Sequence, residues 1–453
     1  MAGDTSLPIH PGARPGPVAC GADAHYRPFF IAGMLTVLTV GAAWGVLLLT
    51  KIAGAESFVG VTVHEVNAHG HAQVMGWVGL FIMGFAYQAF PKMWGVRLVA
   101  PHLSIVVFGL VLGSIAARSA AMYAHASAWA VPLHTLGSIV QLVGVGVFVS
   151  QIIATHARSG QRLSPSTGFI FCALAFMLLQ AAMSVWHADR LLHAQDRGAL
   201  LYQISVYQAP LRDLQIHGMM MLMIFGVGLK LFPPLFGFMP VPRTRAWAAL
   251  GLLLGAILLE VTLFVAFRTT GERLYAAMIL LAWLMLPAGA GLLVWSWRPW
   301  TTTHGLPDRS VKFLLAAFCW LFVSFVMLLA LPAYLAISAS EFSHAYHGAI
   351  RHAITVGFVS MTIMAMAAKV VPTLNGVPTR TLSALWGPFL LVNAGCALRV
   401  SLQVATDWTP RAFPFVGVSG VLELAGLAWW AAHLGGVMLG ARGTPRRPTA
   451  AAD

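Results

Sequence analysis

The sequence predicts an all-α membrane protein: twelve transmembrane helices arranged as three four-helix repeats with pseudo-threefold symmetry. Composition, run length and an internal repeat carry that prediction. Of the 453 residues 58% are hydrophobic and only 9% are Asp, Glu, Lys or Arg, against about 25% charged residues in soluble domains. Mean hydropathy is +0.79, and a water-soluble surface cannot be covered with so few charges. Apolar runs of ~20 residues or more are helical spans, because barrel strands need only about 10. Collagen, disorder and a disulfide scaffold are excluded: there is no glycine period, the apolar content is too high, and the cysteines number four.

Runs bounded by Pro, Gly and charge place the spans in order. They are Phe29–Thr50, His71–Met93, Val99–Ala121, Trp129–Ala154, Thr167–Trp186, Leu214–Phe236, Ala246–Phe267, Leu274–Trp297, Val311–Ile337, His352–Thr373, Leu382–Ala405 and Phe413–Leu439. Each is long enough for ~30 Å of hydrocarbon at about 1.5 Å per residue. The expected layout is a cytoplasmic N-terminal segment (1–28), one membrane domain (29–441, repeats 29–157, 165–298 and 310–441) and a cytoplasmic tail (442–453). Residues 1–28 are rich in Pro, Gly and His and lack the apolar core of a cleavable signal peptide.

The repeat is legible in the second span of each set. It reads His71-AQVMGWVGLFIMGFAYQAF-Pro91-KMW-Gly95, then His217-GMMMLMIFGVGLKLF-Pro233-PLF-Gly237, then His352-AITVGFVSMTIMAMAAKVV-Pro372-TLN-Gly376. His71 and His352 both stand 20 residues before their proline; in the middle copy that register holds Asp213, and His217 sits one turn deeper.

The net charge of +13 is sorted by side. The termini and even-numbered loops carry 17 of the 27 cations with four acids, and the odd-numbered loops carry 10 cations with 8 acids. This places both termini in the cytoplasm and assigns the positive balance to topology and anionic lipid, with no nucleic-acid partner. This sorting fits a multi-pass protein of a cytoplasmic membrane. Cys20, Cys172, Cys319 and Cys396 form no C-x-x-C-H, which removes covalent c-type haem, nor a zinc ribbon.

Eleven of the 17 histidines fall on the odd-loop side. They cluster as His64-EVNA-His69-G-His71 before span 2 and His344-AY-His347-GAIR-His352 before span 10, while His217 opens span 6 alone. Neutral imidazole suits iron and copper, and a haem in a helical bundle takes axial nitrogens from facing helices at one depth. His71 and His352 meet the depth condition, with His69, His217 and His347 as further candidate metal ligands. His69 and His71 are two apart, so on a helix they face nearly opposite ways. The bland reading of each is an interfacial polar residue at a helix start. Arg351 and Arg399 are placed to pair haem propionates bidentately or to snorkel to the interface. Glu260 and Glu423 relay protons or bond a neighbouring helix. The run Met219-Met220-Met221-Leu222-Met223 reads as core packing or as a soft path for Cu(I).

These residues carry a resemblance. His25-Tyr26-Arg27-Pro28-Phe29-Phe30 resembles the F-R-P-F-F opening of the NnrS family, twelve-span bacterial membrane proteins associated with haem, copper and nitric oxide metabolism. His352-Ala-Ile-Thr-Val-Gly357 with Met361, Met364 and Lys369 is similar to that family's H-A-L-T-V-G helix. The segment from His71 to Lys92 also resembles the second helix of haem-copper oxidase and nitric oxide reductase catalytic subunits, whose histidine ligates the low-spin haem. That helix implies a ligand role for His71, and the family's span-10 histidine matches His352. The oxidase pattern then breaks: span 6 lacks His-Pro-Glu-Val-Tyr, span 7 has no histidine, and span 10 lacks His-x-His. An oxygen-reducing binuclear centre is therefore not expected.

The resemblance implies haem b, with copper or non-haem iron as a second metal, and nitric oxide or another diatomic ligand. An electron donor or subunit is an expected partner, and any enzymatic activity would be that of an oxidoreductase acting on nitric oxide. The competing readings are a divergent oxidase or reductase subunit and a metal or small-solute transporter.

Overall fold

The computed structural model describes residues 24–301 and 308–440; most of the N-terminal segment, the tail, Cys20, His10 and His304 lie outside the described residues. Twelve helices are long and apolar enough to cross a membrane. They are α1 (Tyr26–Ala55), α2 (Val63–Met93), α3 (Leu103–Tyr123), α4 (Ala130–Arg158), α5 (Pro165–Leu192), α6 (Arg197–Phe236), α7 (Arg243–Thr270), α8 (Arg273–Thr301), α9 (Val311–Ile337), α10 (His344–Leu374), α11 (Trp386–Ala405) and α12 (Pro410–Met438).

Three of these begin well before the apolar run that marks them in the sequence, because polar residues cap them. Thr62 and Glu65 form a capping box at the start of α2. Asp196 Oδ1 accepts from the Ala199 amide at the start of α6 (2.8 Å), and Ser343 Oγ accepts from the Tyr346 amide at the start of α10 (2.8 Å). His71 and His352 therefore do not open their helices; each closes a 9-residue α-helical segment, Val63–His71 and His344–His352.

The most regular feature of the fold lies just beyond these residues. The 8-residue segments Ala72–Gly79, Leu214–Met221 and Ala353–Ser360 are π-helical. They begin immediately after His71, Asp213 and His352, the register that the sequence repeat assigns. A π segment is rare and adds a residue per turn, so it rotates the turns on its N-terminal side relative to those on its C-terminal side. Each of these helices then closes on its proline, followed by a left-handed glycine at Gly95, Gly237 and Gly376 (φ +67°, +72° and +66°), a conformation open to glycine at little steric cost.

Packing puts these three helices innermost: 78%, 61% and 72% of the apolar windows of α2, α6 and α10 are buried, against 28–56% for the other nine. The same contacts recur with a period of four helices. First packs on second (α1 on α2, α5 on α6, α9 on α10), third packs on fourth (α3–α4, α7–α8, α11–α12), and α4–α5, α8–α9 and α12–α1 close the ring. An apolar cavity of about 80 Å³ lies between the inner helices. Phe81, Ile82 and Phe85 line it from α2, Met223, Ile224 and Val227 from α6, and Thr362, Ile363 and Met366 from α10. Those are the residues ten, nine and six before Pro91, Pro233 and Pro372. Trp77 Nε1 donates to Ser360 Oγ (3.0 Å), tying α2 to α10 at mid-depth.

The arginine-proline opening of α1 clamps the far end of α10. Arg27 Nη2 donates to Asn375 Oδ1 (2.6 Å), and Asn375 Nδ2 donates to the Tyr26 hydroxyl (2.7 Å). Close approach of α1 to α2 depends on Gly84, where a Cβ would stand 2.7 Å from Phe29 Cβ. Gly84→Ala is expected to lower stability by about 1–3 kcal/mol, read as the thermal midpoint of the detergent-solubilised protein.

Asp308 pairs with Lys369 of α10 and accepts from the Ser310 amide (2.8 Å). Burial alone would raise its carboxyl; the hydrogen bonds from Lys369 and Ser310 outweigh that and hold it below the usual carboxylate range. A carboxyl lowered by folding stabilises above its ordinary value of about 4, and that contribution is lost as the pH falls below it. Asp308→Asn is therefore expected to melt earlier than wild type at neutral pH, the two midpoints converging in acid.

Candidate functional site

At the depth of His71, Asp213 and His352 the interior turns polar, and the third helix of each block brings a charge to it: Arg118 from α3, Glu260 from α7, Arg399 from α11. Three chemically different sectors result.

Between α2 and α6, His71, Arg118, His187, Arg212 and Gln215 line a cleft of about 30 Å³. His71 is 4% exposed, and its Nε2 makes no hydrogen bond. His134 of α4 and Arg118 act on it electrostatically. Between α6 and α10, His217 Nδ1 lies 2.6 Å from Glu260 Oε1, and Glu260, His217 and Arg351 act on Asp213. The third sector lies between α10 and α2. Arg399 and His69 act on His352, and Glu423 of α12 acts on Arg399. Arg399 Nε and Nη1 make no hydrogen bond.

The two imidazoles of the third sector, and His347 in the first turn of α10, have a determined tautomer. His352 Nδ1 is 2.8 Å from the Gly348 carbonyl, His69 Nδ1 is 2.9 Å from the Gly41 carbonyl, and His347 Nδ1 is 2.9 Å from the Ser343 carbonyl. A carbonyl only accepts, so each Nδ1 carries the proton and each Nε2 keeps its lone pair. Metal-binding histidines are commonly oriented by this kind of anchor. The anchor of His69 needs small residues on α1. Gly41 ends the π-helical Val37–Gly41, and a Cβ on Gly45 would stand 2.8 Å from His69 Cε1.

The expected site residues are thus divided. His69 and His71 do face opposite ways. The histidine brought to His352 is His69, whereas His71 looks into the α2–α6 cleft. Arg399 stands with His352; Arg351 lies between Asp213 and His352, acting on both. His217 is engaged by Glu260, and His347 stacks on Phe342 (4.6 Å between ring centroids). The methionine run is core: Met219, Met220 and Met221 are at most 1% exposed. Among the described residues no three His, Cys, Asp or Glu side chains converge to hold a metal ion, so the donors stand as pairs or singly. Sequence reasoning missed Arg118 and Arg212 as members of the belt, and it counted His134 and His187 among the eleven histidines of that side without giving them a site role. For Arg118 a signal existed: it occupies in the third helix of its block the place that Glu260 and Arg399 occupy in theirs.

Twelve membrane helices around buried imidazoles and guanidinium groups define a multi-pass membrane protein with histidine-bearing internal sectors. The chain belongs to the NnrS family: the family described as NnrS protein matches residues 22–442, nearly its whole length. No curated protein matches the chain.

The buried His217–Glu260 pair gives this belt its testable element. Glu260→Ala leaves the ring without its partner and is expected to lower stability by about 1–3 kcal/mol, measured by thermal melting; an unchanged midpoint would refute the pairing.

Proposed function

We propose that this NnrS family member is a haem-binding protein of nitric oxide metabolism, with His352 and His69 as iron ligands and Arg399 as the partner of a propionate. The supporting observation is the tautomer: two imidazoles in one sector, both with Nδ1 tied to a carbonyl and Nε2 lone pairs left over. Beside them Arg399 is 7% exposed and has two nitrogens without hydrogen bonds. An iron centre held by two imidazoles and a guanidinium that pairs a propionate are what such donors fit.

Bound there, an iron porphyrin would supply a centre that passes electrons; with both imidazoles as ligands it would have no open site, so nitric oxide uptake would need one imidazole displaced or a second metal. The chain does the rest. The Gly348 and Gly41 carbonyls aim the rings and raise the basicity of Nε2. Arg399 neutralises the porphyrin carboxylate, and the surrounding helices exclude water. Nitric oxide, uncharged and apolar, enters from the lipid phase. Copper or a non-haem iron would draw on His71 or His347.

The membrane is the bacterial inner membrane, with both termini cytoplasmic. In support, all ten cations counted for the odd-loop side lie within the membrane helices, Arg118, Arg212, Arg351 and Arg399 among them, whereas Arg97, Arg162, Arg309 and Arg380 of the other side lie in loops between helices. The bias of the loops proper towards the other side is therefore steeper than the raw count.

The reduced-minus-oxidised absorption spectrum of the purified protein is the test. A b-type band that shifts on adding nitric oxide, disappears in His352→Ala and His69→Ala, and persists in His71→Ala is the expected result. A preparation without chromophore or bound metal overturns the proposal.

A further inference from the structure

The α2–α6 cleft holds a charge problem that haem ligation by His352 and His69 leaves untouched. Arg118 is 4% exposed and Arg212 half-buried, both line the cleft, and no carboxylate lines it. All their hydrogen bonds go to neutral amides. Arg118 Nη1 donates to Gln141 Oε1 (2.9 Å), Arg212 Nη1 to Gln215 Oε1 (2.8 Å), and Arg212 Nη2 to Asn67 Oδ1 (3.0 Å). Gln215 is in turn held by Gln180, whose Oε1 accepts from its Nε2 (3.0 Å), so its own oxygen stays turned to Arg212. The charges acting on the two arginines are alike in sign: Arg212 acts on Arg118, and Arg351 on Arg212. Asp213 is next in sequence but interacts with Glu260, His217 and Arg351. Arg118 Nε and His71 Nε2, both buried, make no hydrogen bond.

Two cations in hydrocarbon without a counter-charge are strongly disfavoured, and charged groups at such depth mark functional sites. Planar guanidinium forks match a planar, bidentate anion. We propose that the α2–α6 cleft is an anion site, in which Arg118 and Arg212 hold a carboxylate-type oxyanion and His71 adds a hydrogen bond from Nε2 in the tautomer protonated there. The anion is a free ion of the nitrite, nitrate or formate kind, or the carboxylate of a bound organic cofactor; a cleft of about 30 Å³ is room for about two waters, which matches a small oxyanion or a carboxylate head group.

The experiment is thermal melting of the full-length purified protein titrated with sodium nitrite, nitrate or formate, with chloride at matched ionic strength as control. The variants are Arg118→Gln and the milder, charge-keeping Arg118→Lys, which loses only the fork. Saturable stabilisation absent with chloride, with half-saturation at least tenfold weaker in the variants, supports a free oxyanion. No stabilisation by free ions, together with loss of co-purifying porphyrin from both variants, assigns the anion to a cofactor carboxylate. The proposal is overturned if neither occurs, or if the variants match wild type in both readouts. A haem-free preparation that still binds nitrite would sink the haem reading and leave this one standing.

Discussion

Hydrocarbon gives a buried guanidinium or imidazole no water, so each must find its partner inside the protein. That constraint shapes one half of this molecule. His352, His69 and His347 turn Nδ1 to backbone carbonyls, Glu260 takes His217, and neutral amides take Arg118 and Arg212. Those partners leave lone pairs on Nε2 in one sector and positive charge without a lining carboxylate in another.

The inner helices make room for this by changing their own geometry. Each carries its polar belt residue at the end of an α-helical stretch, then 8 residues of π-helix, then an α-helical stretch that packs apolar side chains around the central cavity. The π segments lie at the boundary between a half that serves three separate polar sectors and a half that meets at a common axis. Placed there, the added residue per turn lets one helix address different neighbours at its two ends. The rings and charges thus stand at one end of the bundle, and an apolar interior lies beneath them.

Much of this was legible in the chain. The alignment of His71, Asp213 and His352 before their prolines anticipated where each π segment begins, because a repeat that conserves spacing to a proline conserves depth in the membrane. The opposed faces of His69 and His71 came from helical geometry alone. Helix starts were less legible: α2, α6 and α10 extend beyond their apolar runs because Thr62, Asp196 and Ser343 cap them, and hydropathy is blind to a cap. Arg118 and Arg212 were read by side of the membrane, since a charge near the end of a span looks the same in sequence whether it faces lipid headgroups or the bundle.

The sequence by itself determined the twelve spans, the end of the bundle at which the histidines gather and the depth at which they lie. All three are one-dimensional properties, set by run length and spacing. Only the tertiary structure decided partnership. Which histidine meets His352 depends on how α2 turns about its axis against α1 and α10, and that turn seats His69 against Gly41 and Gly45 of α1. Rotation about a helix axis leaves depth and hydropathy unchanged, so it is invisible until the helices are packed.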